Sequence, residues 1–294
     1  MSERLSGVAV VGSANLDLVV GVSRLPRVGE TILGRAAGRT LGGKGLNQAI
    51  ASARTGAPTR FCAVVGEDEA GDLVQRALLD AGVQAAVRRT DAVPTGVAHV
   101  FALDGGDNSI VVAAGANARL RPEDAALDVR GAAVVLAQLE VPVEAVAAAL
   151  AAGRGGGATT VLNAAPAVPG ALALLRDVDV LVVNETECEE LGGVDALHEA
   201  GAATVVRTRG SDGVELHREG ADAVHLPAFP VVVIDTTGAG DAFCGALAAA
   251  LSLGATIEAA LVTASAAGAV VAQHRGANTP ALSPASLAAL VETR

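Results

Sequence analysis

The sequence predicts an α/β fold: a mostly parallel sheet covered by helices, with a small second β sheet. Short apolar runs alternate with alanine-rich helical segments, for example a strand at 132–140 before a helix at about 142–152. This alternation is typical of parallel strands joined by crossover helices. Two turn-rich patches, at about 14–41 and 96–112, instead predict short strands of their own, the second with a tight turn at 104–107.

Composition narrows the class of protein. The chain has 294 residues, 51% of them hydrophobic, so a single domain over 1–294 can bury a large core. A net charge of -11, with 4 Phe and no Trp or Tyr, argues against nucleic-acid binding. No segment matches a signal peptide or a membrane span, and Cys62, Cys188 and Cys244 lack metal or redox spacing. We therefore expect a cytoplasmic protein with buried thiols.

The first predicted strand, at 8–11, leads into Asn15 and Asp17, which alternate with apolar residues. In an extended segment both side chains lie on one face, where an amide and a carboxylate can receive adjacent hydroxyl groups. An ordinary loop with Asx turns is the alternative explanation.

A glycine-rich helix start follows at 42–48, and the helix is expected to end near Gly56. With Gly38 it nearly matches a P-loop, but Gly45 stands where the motif requires Ser or Thr. We therefore interpret it as a helix start that presents N–H groups, Lys44 and Asn47 to a polar ligand. A purely structural turn is the alternative.

Polar groups follow several predicted strands. Further strands are predicted at 161–163, 178–184 and 204–207. Ligands of parallel sheets bind beyond the carboxyl ends of the strands. We therefore expect one cleft lined by Glu140, Asn184 with Glu187, the turn 208–213 and the turn 238–241. Asn184 and Glu187 suit contacts to the waters of a magnesium ion.

The segment 231–243 changes its pattern in the middle. Four β-branched residues at 231–234 predict a buried strand, and a glycine-rich turn and an alanine-rich helix follow. The first N–H groups of such a helix bind anions, and Asp241 places a carboxylate beside them. This combination points to phosphoryl transfer, with Asp241 accepting the proton of an attacking hydroxyl. The alternative is that Asp241 only complements the helix dipole.

The sequence resembles the PfkB carbohydrate kinases, and within them the ribokinases. The resemblance rests on motifs that occur in order at 12–17, 42–48, 114–117, 138–140, 184–187 and 235–241. It implies a ribokinase-like three-layer sandwich with a small β lid, ATP-dependent phosphorylation of a sugar, and a homodimer formed through the lid.

The same resemblance implies roles for individual residues. Asp241 would be the base, and the anion hole would come from Gly238, Ala239 and Gly240. The sugar would contact Asn15, Asp17, Gly43, Lys44, Asn47, Glu140 and Asp241. ATP would lie along Asn184, Thr208, Arg209, Gly210, Ser211, Asp212, Gly213 and Gly240. Glu187 would bind Mg2+ through water, and K+ would lie near Asp235, Thr237, Val271, His274 and Gly276. Pro280 departs from the hydroxyl residue common at the end of that cation loop.

The expected reaction is phosphorylation of D-ribose at O5, with deoxyribose, fructose, ketodeoxygluconate or a nucleoside as alternative substrates. Asp17 and Glu140 favour a neutral polyol over an acid sugar, and the scarcity of aromatic residues disfavours a nucleoside. A dinucleotide-dependent oxidoreductase is disfavoured because 238–243 lacks the third fingerprint glycine. A catalytically silent sugar-binding regulator is the non-enzymatic alternative.

Overall fold

The structure is a computed structural model that describes residues 6–104 and 108–293. Its strands are β1 (Val8–Val11), β2 (Asn15–Val22), β3 (Arg35–Gly42), β4 (Thr59–Gly66), β5 (Gln84–Thr90), β6 (Gly96–Leu103), β7 (Asn108–Ala113), β8 (Val134–Gln138), β9 (Thr159–Asn163), β10 (Val180–Asn184), β11 (Thr204–Thr208), β12 (Val214–Arg218) and β13 (Val224–Leu226). Its helices are α1 (Lys44–Arg54), α2 (Glu69–Asp80), α3 (Pro122–Asp128), α4 (Val143–Gly155), α5 (Glu185–Glu190), α6 (Gly193–Glu199), α7 (Ala239–Ser252), α8 (Ile257–Ala272) and α9 (Pro284–Val291). Short 3-10 helices lie at Gly115–Arg119, Pro169–Asp177 and Gly210–Asp212. The turn expected at 104–107 falls largely on 105–107, outside the described residues.

The described part of the chain forms a central sheet of nine strands in the order β13-β12-β11-β10-β9-β8-β1-β4-β5. All neighbours from β5 to β11 are parallel, and β12 and β13 add an antiparallel edge. Strands β1 and β8 are buried along their whole length, because helices cover both faces of the sheet. The predicted mostly parallel sheet is confirmed.

Alternate residues of the sheet face two separate cores. Val8 and Val10 pack with α1, α2, α7 and α8, whereas Ala9 and Val11 pack with α3, α4, α5 and α6. This is the expected three-layer sandwich. Cys62, Cys188 and Cys244 are buried free thiols, as predicted.

A second sheet has the strand order β3-β2-β6-β7 over the described residues. Strands β2 and β6 are parallel, and the two outer pairs are antiparallel. Its strands lie within the two turn-rich patches, so the predicted small sheet is confirmed. It stands directly before α1, because β3 ends at Gly42 and α1 begins at Lys44.

The prediction of a buried strand at 231–234 is wrong. These residues lie in an irregular connection between β13 and α7, and Val232 is 81% exposed. No strand of the described ranges pairs with them, and the N–H of Ile234 donates to the carbonyl of Ala272 at the end of α8. β-branched residues favour strands only where a pleated neighbour is available, and here none is.

Helices α1 and α7 cross closely at Gly245. A Cβ on Gly245 would lie 2.5 Å from the carbonyl oxygen of Gln48 and 2.8 Å from the Cβ of Ala51. Such distances leave no room for a methyl group without displacing the backbone. The crossing therefore requires glycine at this position.

None of the helices in the described ranges has both the length and the apolar character needed to span a membrane.

The crossing generates a stability prediction. We expect Gly245→Ala to lower the free energy of unfolding by about 1–3 kcal/mol, the usual cost of overpacking a core. Gly155→Ala is the matched control, since a Cβ at that helical position meets nothing within 4 Å. It should be neutral or stabilising by up to about 1 kcal/mol. Urea denaturation of both variants makes the comparison, and equal effects would contradict the close crossing.

Candidate active site

A cavity of about 160 Å³ lies beyond the carboxyl ends of β9, β10 and β11. Its walls come from the start of α1, the ends of these strands, α5 and the first turns of α7. The lining residues are Lys44, Asn163, Ala165, Val182, Asn184, Glu187, Thr208, Gly238, Gly240, Asp241 and Cys244. The fold thus brings residues of the motifs at 42–48, 184–187, 208–213 and 238–241 to one place, as expected for a parallel sheet. Glu140, also predicted to line the cleft, is not among the lining residues.

Asp241 lies in the first turn of α7, whose N-cap, Gly238, has a φ of 78°. Its Oδ2 accepts from Asn47 Nδ2 at 2.9 Å, and its Oδ1 accepts from Gln48 Nε2 at 3.0 Å. Burial raises the pKa of Asp241, although the Lys44 ammonium and these two amides oppose the rise. The carboxylate thus has two hydrogen bonds to α1 in addition to its place in the first turn of α7.

The turn before Asp241 presents backbone groups to the cavity unequally. Gly238 and Gly240 line it. The N–H of Ala239 donates to the carbonyl oxygen of Thr236 at 3.1 Å. This hydrogen bond would have to open before Ala239 could take the predicted part in an anion hole.

Lys44 and Glu140 meet at the start of α1. Glu140 Oε2 accepts from the backbone N–H of Lys44 at 3.1 Å and from the hydroxyl of Ser13. Burial acts to lower the pKa of Lys44, but the carboxylates of Asp241, Glu140 and Glu187 outweigh it and the pKa is raised. Lys44 is therefore a protonated ammonium at the centre of several carboxylates.

Asp17 and Asn15, both on β2, have different surroundings. Burial, reinforced by Glu140 and Asp241, raises the pKa of Asp17 to about 6. Asp17 Oδ1 is buried and has no hydrogen-bond partner among the described residues. Asn15 Oδ1 instead accepts from Asn117 Nδ2 at 2.7 Å. An unpaired buried acceptor is costly, and Asp17 Oδ1 remains able to accept a hydrogen bond from a hydroxyl group.

Asn184 and Glu187 form a capping box at the start of α5. Asn184 Oδ1 accepts from the N–H of Glu187 at 2.7 Å, and Glu187 Oε2 accepts from the N–H of Asn184 at 2.8 Å. Burial raises the pKa of Glu187, against the opposing effects of this N–H and of Lys44. The box fixes both side chains at the wall of the cavity.

The turn 208–213 contributes Thr208 alone to the cavity lining. Arg209 Nε donates to Glu185 Oε1 at 3.1 Å, and Arg209 Nη1 donates to Glu215 Oε1 at 2.8 Å. These ion pairs attach the turn to α5 and β12. The other predicted nucleotide contacts lie outside the cavity: Arg209, Gly210, Ser211, Asp212 and Gly213.

The two segments predicted to hold a monovalent cation lie together. Asp235 Oδ1 accepts from the N–H of Thr237, and its Oδ2 accepts from the N–H of Gly276, both at 2.9 Å. Burial acts to raise the pKa of Asp235, but these N–H groups, the Thr237 side chain and Arg275 together outweigh it, and the pKa is lowered. The carbonyl of Val271 accepts from the N–H of His274 at 2.9 Å. Over the described residues, no three His, Cys, Asp or Glu side chains gather as a metal site.

Sequence reasoning missed the amide side chains behind Asp241. Gln48 also donates to Asn163 Oδ1 at 3.0 Å and accepts from Gln138 Nε2 at 2.6 Å. Asn278 Nδ2 donates to Asn47 Oδ1 at 2.9 Å. The sequence could have indicated Gln138 and Asn163, because each is a polar residue at the end of a largely apolar strand.

Comparison with known proteins places the chain in a family. Residues 6–284 match a family model that is described as pfkB family carbohydrate kinase. A ribokinase of Haemophilus influenzae is 33% identical over 286 residues, covering 92% of this chain and 93% of that protein. A deoxyribokinase of Salmonella typhi is 34% identical over 271 residues, covering 86% of this chain and 88% of that protein.

A solved structure agrees with these relatives. The structure of Arabidopsis thaliana ribokinase complexed with ribose and ATP has a TM-score of 0.89 and 34% identity, covering 98% of this chain and 99% of that one. The expected ribokinase-like fold and kinase class are confirmed, and the oxidoreductase alternative is excluded. The chain therefore belongs to the pfkB family of carbohydrate kinases.

Proposed function

We propose that this kinase transfers the γ-phosphoryl group of ATP to O5 of D-ribose, giving D-ribose 5-phosphate and ADP. The observation that carries the proposal is the carboxylate of Asp241, held by two amides in the first turn of α7 inside the cavity. A proton acceptor and the positive end of a helix are thus supplied by one turn of chain.

The proton and the phosphoryl group move in opposite directions in this reaction. Asp241 accepts the proton of the 5-hydroxyl while O5 attacks the γ-phosphorus, and the bond from that phosphorus to the β,γ-bridging oxygen breaks. ADP leaves with the electron pair. Gly238 and Gly240 line the cavity, and their N–H groups would support the charge that spreads over the transferring oxygens.

The sugar contacts proposed are Asn15, Asp17, Gly43, Lys44, Asn47 and Glu140. The unpartnered Oδ1 of Asp17 supports binding of a hydroxyl donor. Asp17 and Glu140 would repel an acid sugar, which supports a neutral polyol. Deoxyribose is the nearest alternative, because a deoxyribokinase is as similar to the chain as the ribokinase is.

ATP is proposed to lie along Asn184, Thr208–Gly213 and Gly240, with Mg2+ at its phosphates. The donor set fits such an ion, because Glu187 Oε2 is used in the capping box and Oε1 is left to bind one of its waters. Mg2+ commonly keeps several waters and binds to one or two carboxylates and substrate phosphates. When bound, it would neutralise phosphate charge.

A potassium ion is proposed near Asp235, Thr237, Val271, His274 and Gly276. The carboxylate of Asp235 and the backbone carbonyls supply the oxygen ligands that hard cations prefer. Asp235 has a lowered pKa and is therefore ionised at neutral pH. Its charge would attract a cation to the segment that leads into α7.

We propose that two copies of the chain pair through the small sheet. β7 is an edge strand, and its consecutive residues Ile110, Val111 and Val112 are 52%, 58% and 45% exposed. Val28 and Leu33, between β2 and β3, are also exposed. An apolar edge of this kind favours burial against a second copy.

The buried thiols are consistent with a reducing compartment, and we propose that the enzyme is cytoplasmic.

The test of the reaction is ADP release with Mg2+ and ATP over ribose, deoxyribose, fructose, ketodeoxygluconate and adenosine, in sodium or potassium. We expect ribose to give the highest kcat/KM and potassium to raise the rate. Preference for another sugar would contradict the assignment of ribose. Sugar binding without ADP release would instead support the silent regulator.

The catalytic variant in the same assay is Asp241→Asn. We expect turnover to fall by about 10²-fold or more while ribose and ATP still bind, because a positioned proton acceptor is lost. Asp80→Asn, an exposed carboxylate at the end of α2, is the matched control and should leave turnover unchanged. Near-normal turnover of Asp241→Asn would remove Asp241 from this role.

Asp17 generates a pH prediction. Its pKa of about 6 means that acid protonates it and removes an acceptor for sugar hydroxyls. Ribose affinity should therefore fall as the pH drops from about 8 to about 5, by roughly tenfold at the lower end. Calorimetric titration of ribose without ATP measures it. Asp17→Asn should bind weakly at both pH values, and a pH-independent wild-type affinity would contradict the prediction.

The dimer is tested by light scattering after size exclusion. We expect the unchanged chain to have the mass of two chains and Ile110→Asp/Val112→Asp to have the mass of one, because paired carboxylates cannot be buried without cost. Leu127→Asp is the matched control, since Leu127 is 53% exposed on α3, away from the small sheet. A monomeric wild type would contradict the dimer.

A further inference from the structure

Gln48 on α1 is a fully buried amide whose hydrogen-bonding groups all have protein partners. Its Nε2 donates to Asp241 Oδ1 and to Asn163 Oδ1, each at 3.0 Å, and its Oε1 accepts from Gln138 Nε2 at 2.6 Å. Two N–H donors are thus used on one side and the oxygen on the other. Gln48 therefore contacts Asp241 from inside the core, away from the cavity.

The orientation of the Gln48 amide follows from a backbone carbonyl. Asn163 Nδ2 donates to the carbonyl oxygen of Val182 at 3.3 Å, and a carbonyl can only accept. Asn163 Oδ1 consequently faces Gln48 and requires a donor there. Gln48 must present its Nε2 at this end, and the second N–H of the same nitrogen is directed at Asp241. A reversed Gln48 amide would place its oxygen against the Asp241 carboxylate.

The other oxygen of Asp241 is held differently. Asn47 donates to Asp241 Oδ2, but under the proposed function Asn47 also contacts the sugar. Turning toward a bound sugar would release Asp241 Oδ2. Gln48 lies behind the carboxylate and its hydrogen bonds to Asn163 and Gln138 do not involve the sugar. The Oδ1 contact is therefore the one that persists when substrate is bound.

We infer that Gln48 is a positioning residue for phosphoryl transfer, which holds the Asp241 carboxylate in the orientation that accepts the proton of the attacking hydroxyl. The inference rests on the proposed function. A carboxylate with one oxygen tied to a rigid partner cannot rotate freely about its terminal bond, so the position of its second oxygen, Oδ2, is fixed as well. Small misplacements of a reacting group cost large factors in rate.

Gln48 also affects the charge of Asp241. Several titratable groups on the surrounding elements interact electrostatically with Asp241: Asp17, Lys44, Glu140, Glu187 and Cys244. Burial raises the pKa of Asp241, and the Gln48 N–H opposes this by stabilising the ionised form. Loss of that N–H therefore raises the pKa further. Because only the ionised carboxylate accepts a proton, activity is lost first at acidic pH.

The test compares Gln48→Met, which keeps the length of the side chain and removes the donor, with the unchanged enzyme. We expect kcat to fall by about 10- to 100-fold and KM for ribose and ATP to change by less than about threefold. The acidic limb of kcat/KM should move to higher pH, so the loss is smaller at about pH 9 than at about pH 6. Gln48→Glu places an oxygen against Asp241 and should move that limb further.

The matched control is Ser52→Ala, one turn along α1. Ser52 is also fully buried, and its hydroxyl lies 2.9 Å from Thr59 Oγ1, away from the cavity. It should leave kcat and the pH profile unchanged. Thermal melts of all variants identify any that unfold at the assay temperature. In an Asp241→Asn background, adding Gln48→Met should lower kcat by less than about threefold, because the carboxylate that Gln48 positions is already absent.

Two kinetic results would overturn the inference: an unchanged kcat and pH profile in Gln48→Met, or an equal loss of rate in the Asp241→Asn background. A carbon-13 titration of the aspartate carboxyls, with the Asp241 signal assigned by its absence in Asp241→Asn, tests the pKa rise without turnover. No rise in Gln48→Met would also overturn it. If the unchanged enzyme does not phosphorylate ribose, the proposed substrate is wrong but the inference about Gln48 is still tested. The carbon-13 titration then decides it, together with the kcat of Gln48→Met on whichever sugar the unchanged enzyme phosphorylates.

Discussion

The close crossing of α1 and α7 at Gly245 is the constraint on which the site depends. Both helices begin at the cavity, α1 at Lys44 and α7 at Ala239. Because Gly245 has no side chain, the backbone of Gln48 can approach α7 directly, and the amides of Asn47 and Gln48 reach the carboxylate of Asp241. Any residue that separated the helices would lengthen these hydrogen bonds, so the packing of small residues determines the geometry of the chemistry.

The site also concentrates negative charge around one cation. Lys44 is close to Asp241, Glu140 and Glu187, and its pKa is raised because these carboxylates outweigh its burial. The pKa of Asp17 is also raised, to about 6, mainly because the side chain is buried and further because Glu140 and Asp241 lie near it. The arrangement leaves acceptors for hydroxyl groups on the side of Asp17.

Much of the fold and part of the site follow from local sequence. The strand and helix alternation predicts the parallel sheet, and the polar residues that end its strands predict the position of the cavity. Residues 231–234 show the limit of local reasoning. Their β-branched side chains have strand propensity, but the structure provides no neighbouring strand, and Ile234 instead bonds to the end of α8. The ion pair of Arg209 with Glu185 was equally invisible, because it joins residues 24 positions apart on different elements.

The sequence by itself determined which chemical groups this protein can use: a carboxylate in the first turn of a glycine-initiated helix, a lysine at a second glycine-rich helix start, and polar residues at the ends of buried strands. Only the tertiary structure decided which of them meet. Gln48 lies 193 positions from Asp241 and 115 positions from Asn163, yet it hydrogen bonds to both. Hydrogen bonds act over about 3 Å and carry no trace in a local pattern, so partners brought together by packing are visible only once the chain is folded.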